Sequence, residues 1–281
     1  AGVAQTDATV SSATTSIVID PYTAISAGSN LTVSATSDHI LTATAKSYGG
    51  GFAAHKEAGT SARLTYQTTV SVGASASFTA GNALSVQGRS SSTVTTYTQT
   101  KSGGVGAGAY SDNKYGNRGV GITGTTTVTI NDGARLVGET VVLRAQVDRL
   151  RADATARAEA YAFAVAVAFA NAKVDVNSST AVDILGSATR ITGWRGVDII
   201  AVQTGINVTR NAWVLAIAII PPQDASNEGA TSLSSRVNTP SGAMVTAGAR
   251  DGSTLALNVE AWTDFGGAST GVITWGADVT I

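Results

Sequence analysis

Histidine and cysteine, two side chains that often carry metal-binding or nucleophilic chemistry, are nearly absent from this chain. It contains two histidines, His39 and His55, and no cysteine. Neither histidine has a partner at the spacing of a metal site, and zinc sites in proteins need three or four such ligands. No glycine loop ends in Lys-Ser/Thr. The sequence therefore predicts no catalytic residues, no metal site and no cofactor.

Acidic residues could form a calcium site or a polysaccharide-binding groove, and they occur in two places that suit these functions. Asn131, Asp132 and Gly133 follow one another. Their oxygen atoms could ligate calcium, but the same triplet favours a simple turn. A run of alternating arginines and acids is typical of a solvated charged face, and a polysaccharide groove is the alternative interpretation. That run comprises Arg144, Asp148, Arg149, Arg151, Asp153, Arg157 and Glu159.

The elements that carry these residues must form a thin structure. Hydrophobic residues make up 43% of the chain but aromatic residues only 6%, so the apolar content is mostly alanine and valine. Such side chains fill the narrow space between closely spaced backbones. A net charge of −1 provides no attraction to nucleic acid or to an anionic membrane. The longest apolar runs are shorter than the roughly 20 residues of a membrane-spanning helix, so no membrane span is expected.

An internal repeat organises the chain. An apolar residue, a turn of small residues and an apolar-x-apolar strand recur five times, and the first apolar residue of that strand serves as an anchor. The anchors lie 53, 57, 56 and 58 residues apart and are Leu31, Leu84, Val141, Val197 and Leu255. A second alternating run precedes the phrase in four units, at Ile17, Val70, Val128 and Val182. Near-constant spacing is typical of a stacked array, in which each unit packs only against its neighbours.

The period predicts one elongated repeat domain over residues 1–281. Its units are approximately 13–66, 67–123, 124–176, 177–233 and 234–281. Each unit has the pattern of a strand, a turn, a strand and a long double-strand arm. The arm should turn back at Gly49-Gly50-Gly51 in the first unit and at Gly103-Gly104 in the second, since glycine is common in turns. The sequence is compatible with two rungs per unit and with one rung that carries a protruding hairpin.

Alanine occupies every even position from Ala152 to Ala170. A helix would spread these ten alanines around all its sides, whereas a β-strand places them all on one face. The pattern therefore predicts a strand whose alanine face, including Ala160, Ala162, Ala164 and Ala166, packs tightly. An unbroken run would be about 60 Å long, which is unusual for a strand, so a bend is expected near Glu159.

Bulky side chains occupy the opposite face in two consecutive units, and stacking of the units should make the two stripes neighbours. They either cover each other within the chain or form a surface for self-association. The residues of that candidate surface are Tyr161, Phe163, Phe169, Trp213, Leu215 and Ile217.

The repeated phrase resembles the units of giant bacterial filamentous surface adhesins of the haemagglutinin-like and autotransporter-like kind. The similarity lies in the apolar-x-Ala-Gly-x-x-Leu-Thr-Val pattern that ends at Leu31-Thr32-Val33, together with the glycine-rich centre and the alternating alanine arm. The resemblance implies an all-β fold, a parallel β-solenoid, exported to the cell surface. It carries over no catalytic residues.

We therefore expect a structural or adhesive module of a secreted surface protein, forming a stiff β rod, filament or sheath. Its expected partners are copies of itself, further repeats of the same chain, or surface glycans, and not nucleic acid. One alternative is a carbohydrate-acting β-helix enzyme, either a lyase or a glycosidase, which needs clustered carboxylates. A further alternative is a membrane β-barrel, although the aromatic residues form no recurring girdles.

Overall fold

The structure is a computed structural model that describes residues 2–112, 119–247, 256–265 and 272–280, with side chains up to residue 247 and at Glu260. Over these residues it is all-β, with no helix. The strands are β1 (Gly2–Ile19), β2 (Ala24–Ala27), β3 (Leu31–Val72), β4 (Ser77–Ala80), β5 (Ala83–Asp112), β6 (Gly119–Ile130), β7 (Arg135–Ile184), β8 (Arg190–Ile217), β9 (Gln223–Glu228), β10 (Ala230–Asn238), β11 (Met244–Ala247), β12 (Ala256–Phe265) and β13 (Val272–Thr280). Every pairing between these strands is parallel.

The chain winds as a parallel β-solenoid whose coils each have three parts. A short base strand leads into a long outbound leg, which folds back at a distal edge into a long return leg. In the first four coils the outbound legs are 31–48, 84–101, 140–159 and 196–217, and the described parts of the return legs are 53–72, 107–112 with 119–130, 166–184 and 223–238. The strand β1 is a return leg that precedes the first coil, and β11, β12 and β13 belong to a fifth.

Two hydrogen bonds show that the legs of one coil fold back on each other. The Thr100 hydroxyl donates to the Tyr110 carbonyl at 2.9 Å. Ten residues of extended strand would separate these atoms by about 33 Å, so the chain reverses between them. In the first coil the Ser47 hydroxyl donates to the Gly2 carbonyl, and Gly2 pairs with Lys56. Each repeat unit is therefore a single rung, and its arm forms the coil itself. The first two units fold back at the glycines indicated by the sequence.

The register confirms four of the five predicted anchors. Leu31 pairs with Leu84, Leu84 with Val141, and Val141 with Val197. The fifth predicted anchor, Leu255, lies outside the described residues, and Val197 pairs with Leu257. The earlier alternating runs align equally well, since Ile17 pairs with Val70, Val70 with Val128, and Val128 with Val182. A solenoid stacks identical positions, so these apolar residues form continuous inward ladders.

The alanine run follows the inner side of the third coil around the distal edge. Its members from Ala152 to Ala160 lie on the outbound leg and those from Ala166 to Ala170 on the return leg, and all of these are buried. Ala162 and Ala164, which were predicted to pack tightly, are only half-buried because they lie in the fold-back. The bend comes a few residues later than predicted, over 161–165, where the register against β5 also shifts.

Hydroxyl groups join the two legs across the thin interior. Ser37 contacts Thr68 at 2.6 Å, and in the next coil Ser90 contacts Thr126 at 2.7 Å. Each pair satisfies two buried polar groups that face no water. Val147 takes the register position of Ser90 in the third coil, so an apolar side chain also fits that site.

The triplet Asn131-Asp132-Gly133 forms a corner between a return leg and a base strand. Gly133 has a positive φ of 72°, a conformation that glycine adopts without a steric penalty. The Asp132 carboxylate accepts a hydrogen bond from the backbone of Ala188 at 3.0 Å, and Asn131 donates to the Val72 carbonyl at 2.8 Å. These hydrogen bonds connect the corners of neighbouring coils, in agreement with the turn interpretation.

Candidate functional surfaces

The distal edge carries a strip of exposed apolar side chains, which we call the distal ridge. Phe52 lies beside Val105 and Val105 beside Phe163, because Gly51, Gly104 and Ala162 share one register row. Phe52 is 82% exposed and Phe163 is 77% exposed. The ridge consists of Tyr48, Phe52, Val105, Tyr161, Phe163, Val165, Ile217, Ile219 and Ile220.

The ridge is large for a surface of this kind. If a large side chain offers about 200 Å², these exposed fractions give roughly 1,000 Å² of largely apolar surface. The largest apolar patch on a typical monomer is about 300–600 Å². The ridge follows from the stacking of fold-backs, since outward side chains at this edge cannot reach the interior of their own coil.

The six residues predicted for self-association are split between three places. Tyr161, Phe163 and Ile217 belong to the ridge, and Tyr161 pairs with Ile217. Trp213 and Leu215 lie on the outbound face, opposite Arg157 and Glu159. The other member, Phe169, lies on the return leg beside Tyr110. The two bulky stripes are thus offset by four residues and bent around the edge, so they become neighbours only at the fold-back.

The charged face predicted between Arg144 and Glu159 lies on the outbound legs, but two of its acids are not solvated. Glu159 is only 2% exposed and Asp153 is also buried. Glu159 forms ion pairs with Lys101 at 3.0 Å and with Arg157 at 2.7 Å, and it accepts a hydrogen bond from the Tyr161 hydroxyl at 2.9 Å. Neighbouring coils above and below exclude water from this carboxylate, which single-strand reasoning could not foresee.

Opposing effects act on the pKa of Glu159. Burial alone would raise the pKa, because it disfavours the charged form. Hydrogen bonds from Lys101 and Tyr161, with the positive charges of Lys101 and Arg157, outweigh burial and hold the pKa below its ordinary value. The carboxylate is therefore a charged cross-link between two coils.

A shallow groove runs beside this network, between Tyr97 and Trp213 on the outbound face. Thr155 and Asn211 form its floor, and its volume is about 380 Å³. The Arg157 guanidinium lies 4.3 Å from the centre of the Trp213 ring. Since Arg157 covers one face of that indole, the groove offers little free aromatic surface to a ligand.

A deeper cleft opens on the return face. It has a volume of about 420 Å³ and includes carboxylates, an amide and aromatic rings from consecutive coils. The lining residues are His55, Glu57, Tyr110, Ser111, Asp112, Phe169, Ala170, Asn171, Asp224 and Ser226. One register row runs from Glu57 through Tyr110 and Phe169 to Asp224, so the cleft crosses four coils.

Aromatic rings stack along one wall of this return-face cleft. His55 lies 4.8 Å from Tyr110, and Tyr110 lies 5.3 Å from Phe169 between ring centres. Among the described side chains the stack ends at Phe169, whose next register partner is Asp224. One face of Phe169 is thus occupied by Tyr110, while the other side borders a small acidic side chain.

Asn171 lies in the cleft with one unsatisfied atom. Its amide nitrogen donates to the Ser226 hydroxyl at 2.8 Å and to a Glu228 carboxylate oxygen at 3.2 Å. The residue is only 8% exposed. Its side-chain oxygen Oδ1 is buried and has no hydrogen-bond partner. The neighbours Ala170 and Ala172 point inward, so Asn171 points toward the outer face, where it lines the cleft.

The two histidines lie on different legs. His39 packs against Tyr66 at 5.2 Å between ring centres. Burial lowers its pKa, and the charge of Asp38 only partly opposes this. His55 lies at the end of the cleft. Within the described residues no three His, Asp or Glu side chains group as metal ligands, and no helix is long and apolar enough to cross a membrane.

Comparison with known proteins adds no relative. No family model matches the chain, and no match was found among curated proteins or among solved structures. The fold itself defines the class of protein as a parallel β-solenoid, and the similarity to adhesin repeats stays a prediction.

Proposed function

We propose that this chain is a structural and adhesive module of a secreted surface protein and that it has no catalytic role. The observation that carries the proposal is the long parallel ladder, in which the described parts of both long legs of each coil pair with the next coil. Backbone hydrogen bonds then run along one axis, and bending that axis would strain many of them together.

The dimensions indicate how such a module contributes to a rod. A return leg such as β1 has 18 residues, which at about 3.3 Å per residue gives a coil roughly 60 Å wide. Five coils spaced by about 4.8 Å extend only about 24 Å along the axis. A rod therefore needs more coils above and below, supplied either by further repeats of the same chain or by other copies.

We propose that the distal ridge holds rods together side by side through a second copy of the chain. Its apolar area is close to the roughly 800 Å² that each partner buries in a stable protein interface. The ridge is built from consecutive coils, so a longer array would extend it in proportion. Lateral pairing would then become stronger as the rod grows.

Electron microscopy of the purified chain at rising concentration tests the rod. We expect filaments about 60 Å wide, with a repeat of about 4.8 Å along the axis and the mass of one chain, 28.2 kDa, per five coils. Particles that stay as single chains at high concentration would contradict self-assembly. A rod would then require further repeats within the same chain.

Sedimentation of ridge variants tests lateral pairing separately. Phe163→Ser should weaken side-by-side association without shortening filaments, because it removes an exposed aromatic side chain at the centre of the ridge. Ile40→Ser is the matched control, since Ile40 is similarly exposed but lies on the outbound face. Equal effects of both substitutions would contradict the assignment of the ridge.

A further inference from the structure

The return-face cleft has the lining of a ligand site, and its acceptors outnumber its donors. The Asp224 carboxylate accepts hydrogen bonds only, and so does the side-chain oxygen of Asn171. The volume of about 420 Å³ falls in the range of small-molecule sites. A ligand that matches this lining must bring several donors.

Asn171 supplies a second and independent indication of a ligand. A buried acceptor without a partner costs about 1–3 kcal/mol, and native proteins rarely leave one unsatisfied. Both amide hydrogens of Asn171 are directed to Ser226 and Glu228, which fixes the side-chain orientation and leaves Oδ1 as the atom in need of a donor. Asn171 lines the cleft, so a ligand bound there lies beside this amide.

The aromatic rings along the wall of the cleft favour a ligand that also has an apolar face. Phe169 is 38% exposed, and Tyr110 covers the side of its ring that faces the preceding coil. A ligand seated over Asp224 and Ser226 would contact the remaining side of Phe169. It would therefore need a C–H face next to its donors, and a positive charge would be favoured both by the carboxylates and by the ring.

We propose that this cleft binds amino-sugar units of a polysaccharide. An unsubstituted amino sugar combines an ammonium group, several hydroxyl donors and an apolar ring face in one unit. The ammonium pairs with Asp224, a hydroxyl donates to Asn171 Oδ1, and the C–H face lies against Phe169. A simple alkylammonium group offers no hydroxyl for Asn171 and fills little of the cleft. The site does not depend on the pairing of rods, because it lies on the return face and not on the distal ridge.

Calorimetric titration with defined oligomers tests the proposal on the full chain. The probe is the β-1,4-linked tetramer of glucosamine, and its fully N-acetylated counterpart is the comparison. We expect the free amine form to bind at least about tenfold more tightly, because a hydrogen bond to a charged group contributes about that factor or more. The recovered oligomer should be intact. Equal affinity for the acetylated form, or absence of binding, would overturn the proposal. Cleavage of the oligomer would instead contradict the absence of a catalytic role.

Variants and a peptide probe complete the test. Asp224 is exposed, so Asp224→Asn should leave the fold unchanged and weaken binding of the glucosamine tetramer by about tenfold. Asp198→Asn, on the outbound face, is the control and should leave the affinity unchanged. Tetralysine should bind more weakly than the sugar. An unchanged affinity in Asp224→Asn, or tetralysine binding as tightly as the tetramer, would refute an amino-sugar site.

Discussion

Replacing Ala156 by leucine is the most informative perturbation of the interior. Ala156 is completely buried on the outbound leg of the third coil. It pairs with Thr98 on one side and with Ala212 on the other, so its strand is held by hydrogen bonds from both neighbouring coils. The extra carbon atoms of leucine would have to push the two legs apart.

The expected cost lies at the upper end of the range for overpacked cores, about 3 kcal/mol. Two features of the coil lead to that value. The core between the legs consists largely of alanine near this site, so no flexible large side chain can move aside. The outbound strand cannot shift by itself either, because its register is fixed by the strands above and below.

Ala164→Leu provides the matched control in the same alanine run. Ala164 is half-buried in the fold-back, where a leucine side chain can turn toward solvent, so we expect a change within about 0.5 kcal/mol. Urea unfolding followed by circular dichroism and by tryptophan fluorescence measures both variants, and the two probes check whether the coils unfold together. Equal stability of Ala156→Leu and the wild type would refute a tightly packed interior.

Three further predictions concern other parts of the coil. Thr126→Val should cost about 1–3 kcal/mol because it leaves the Ser90 hydroxyl unsatisfied, whereas the double variant with Ser90→Val should recover most of that loss in urea unfolding. The pKa of Glu159 is lowered in the folded state, so its stabilising effect is complete above the pKa of the unfolded chain and disappears as the pH falls through the folded value. The stability gap between wild type and Glu159→Gln should therefore narrow from about pH 7 to about pH 3, and a constant gap would contradict the charged cross-link. Gly124→Ala should destabilise the coil because the new methyl group would overlap the buried Tyr66 ring, and Tyr66→Leu in the same chain should relieve that effect in thermal melts.

The fold was largely predictable because its signals are local and repeated. The alternation around Leu31 and Leu84 gives the strands, and the spacing of the anchors gives the register of the stack. The prediction failed where a coil gains or loses residues. In the fifth unit Val197 pairs with Leu257, which lies two residues after the predicted anchor in the sequence. A register shift between Ser90 and Ser91 makes Thr95 pair with Asp153, one residue beyond the position that the spacing of Leu84 and Val141 gives. Such bulges leave no clear mark in a sequence of small residues.

The candidate surfaces were much less predictable. The distal ridge joins Phe52, Val105 and Ile219, which are far apart in the sequence and meet only when the fold-backs are stacked. The cleft on the return face was missed for the same reason, since Tyr110, Asn171 and Asp224 come from different coils. A register-corrected comparison of the five units could have found both, because it would have placed the outward side chains in rows.

Disulfide trapping in the chain, which has no cysteine of its own, tests the single-rung solenoid most directly. Thr42 pairs with Thr95 in the neighbouring coil, both side chains point outward, and a separation of about 4.8 Å suits a disulfide. The variant Thr42→Cys/Thr95→Cys should therefore oxidise rapidly within one chain. The variant Thr42→Cys/Ala58→Cys should not, because Ala58 is buried on the return leg. Rapid trapping of the second pair without the first would show an antiparallel hairpin that turns at Gly50, and it would contradict the solenoid.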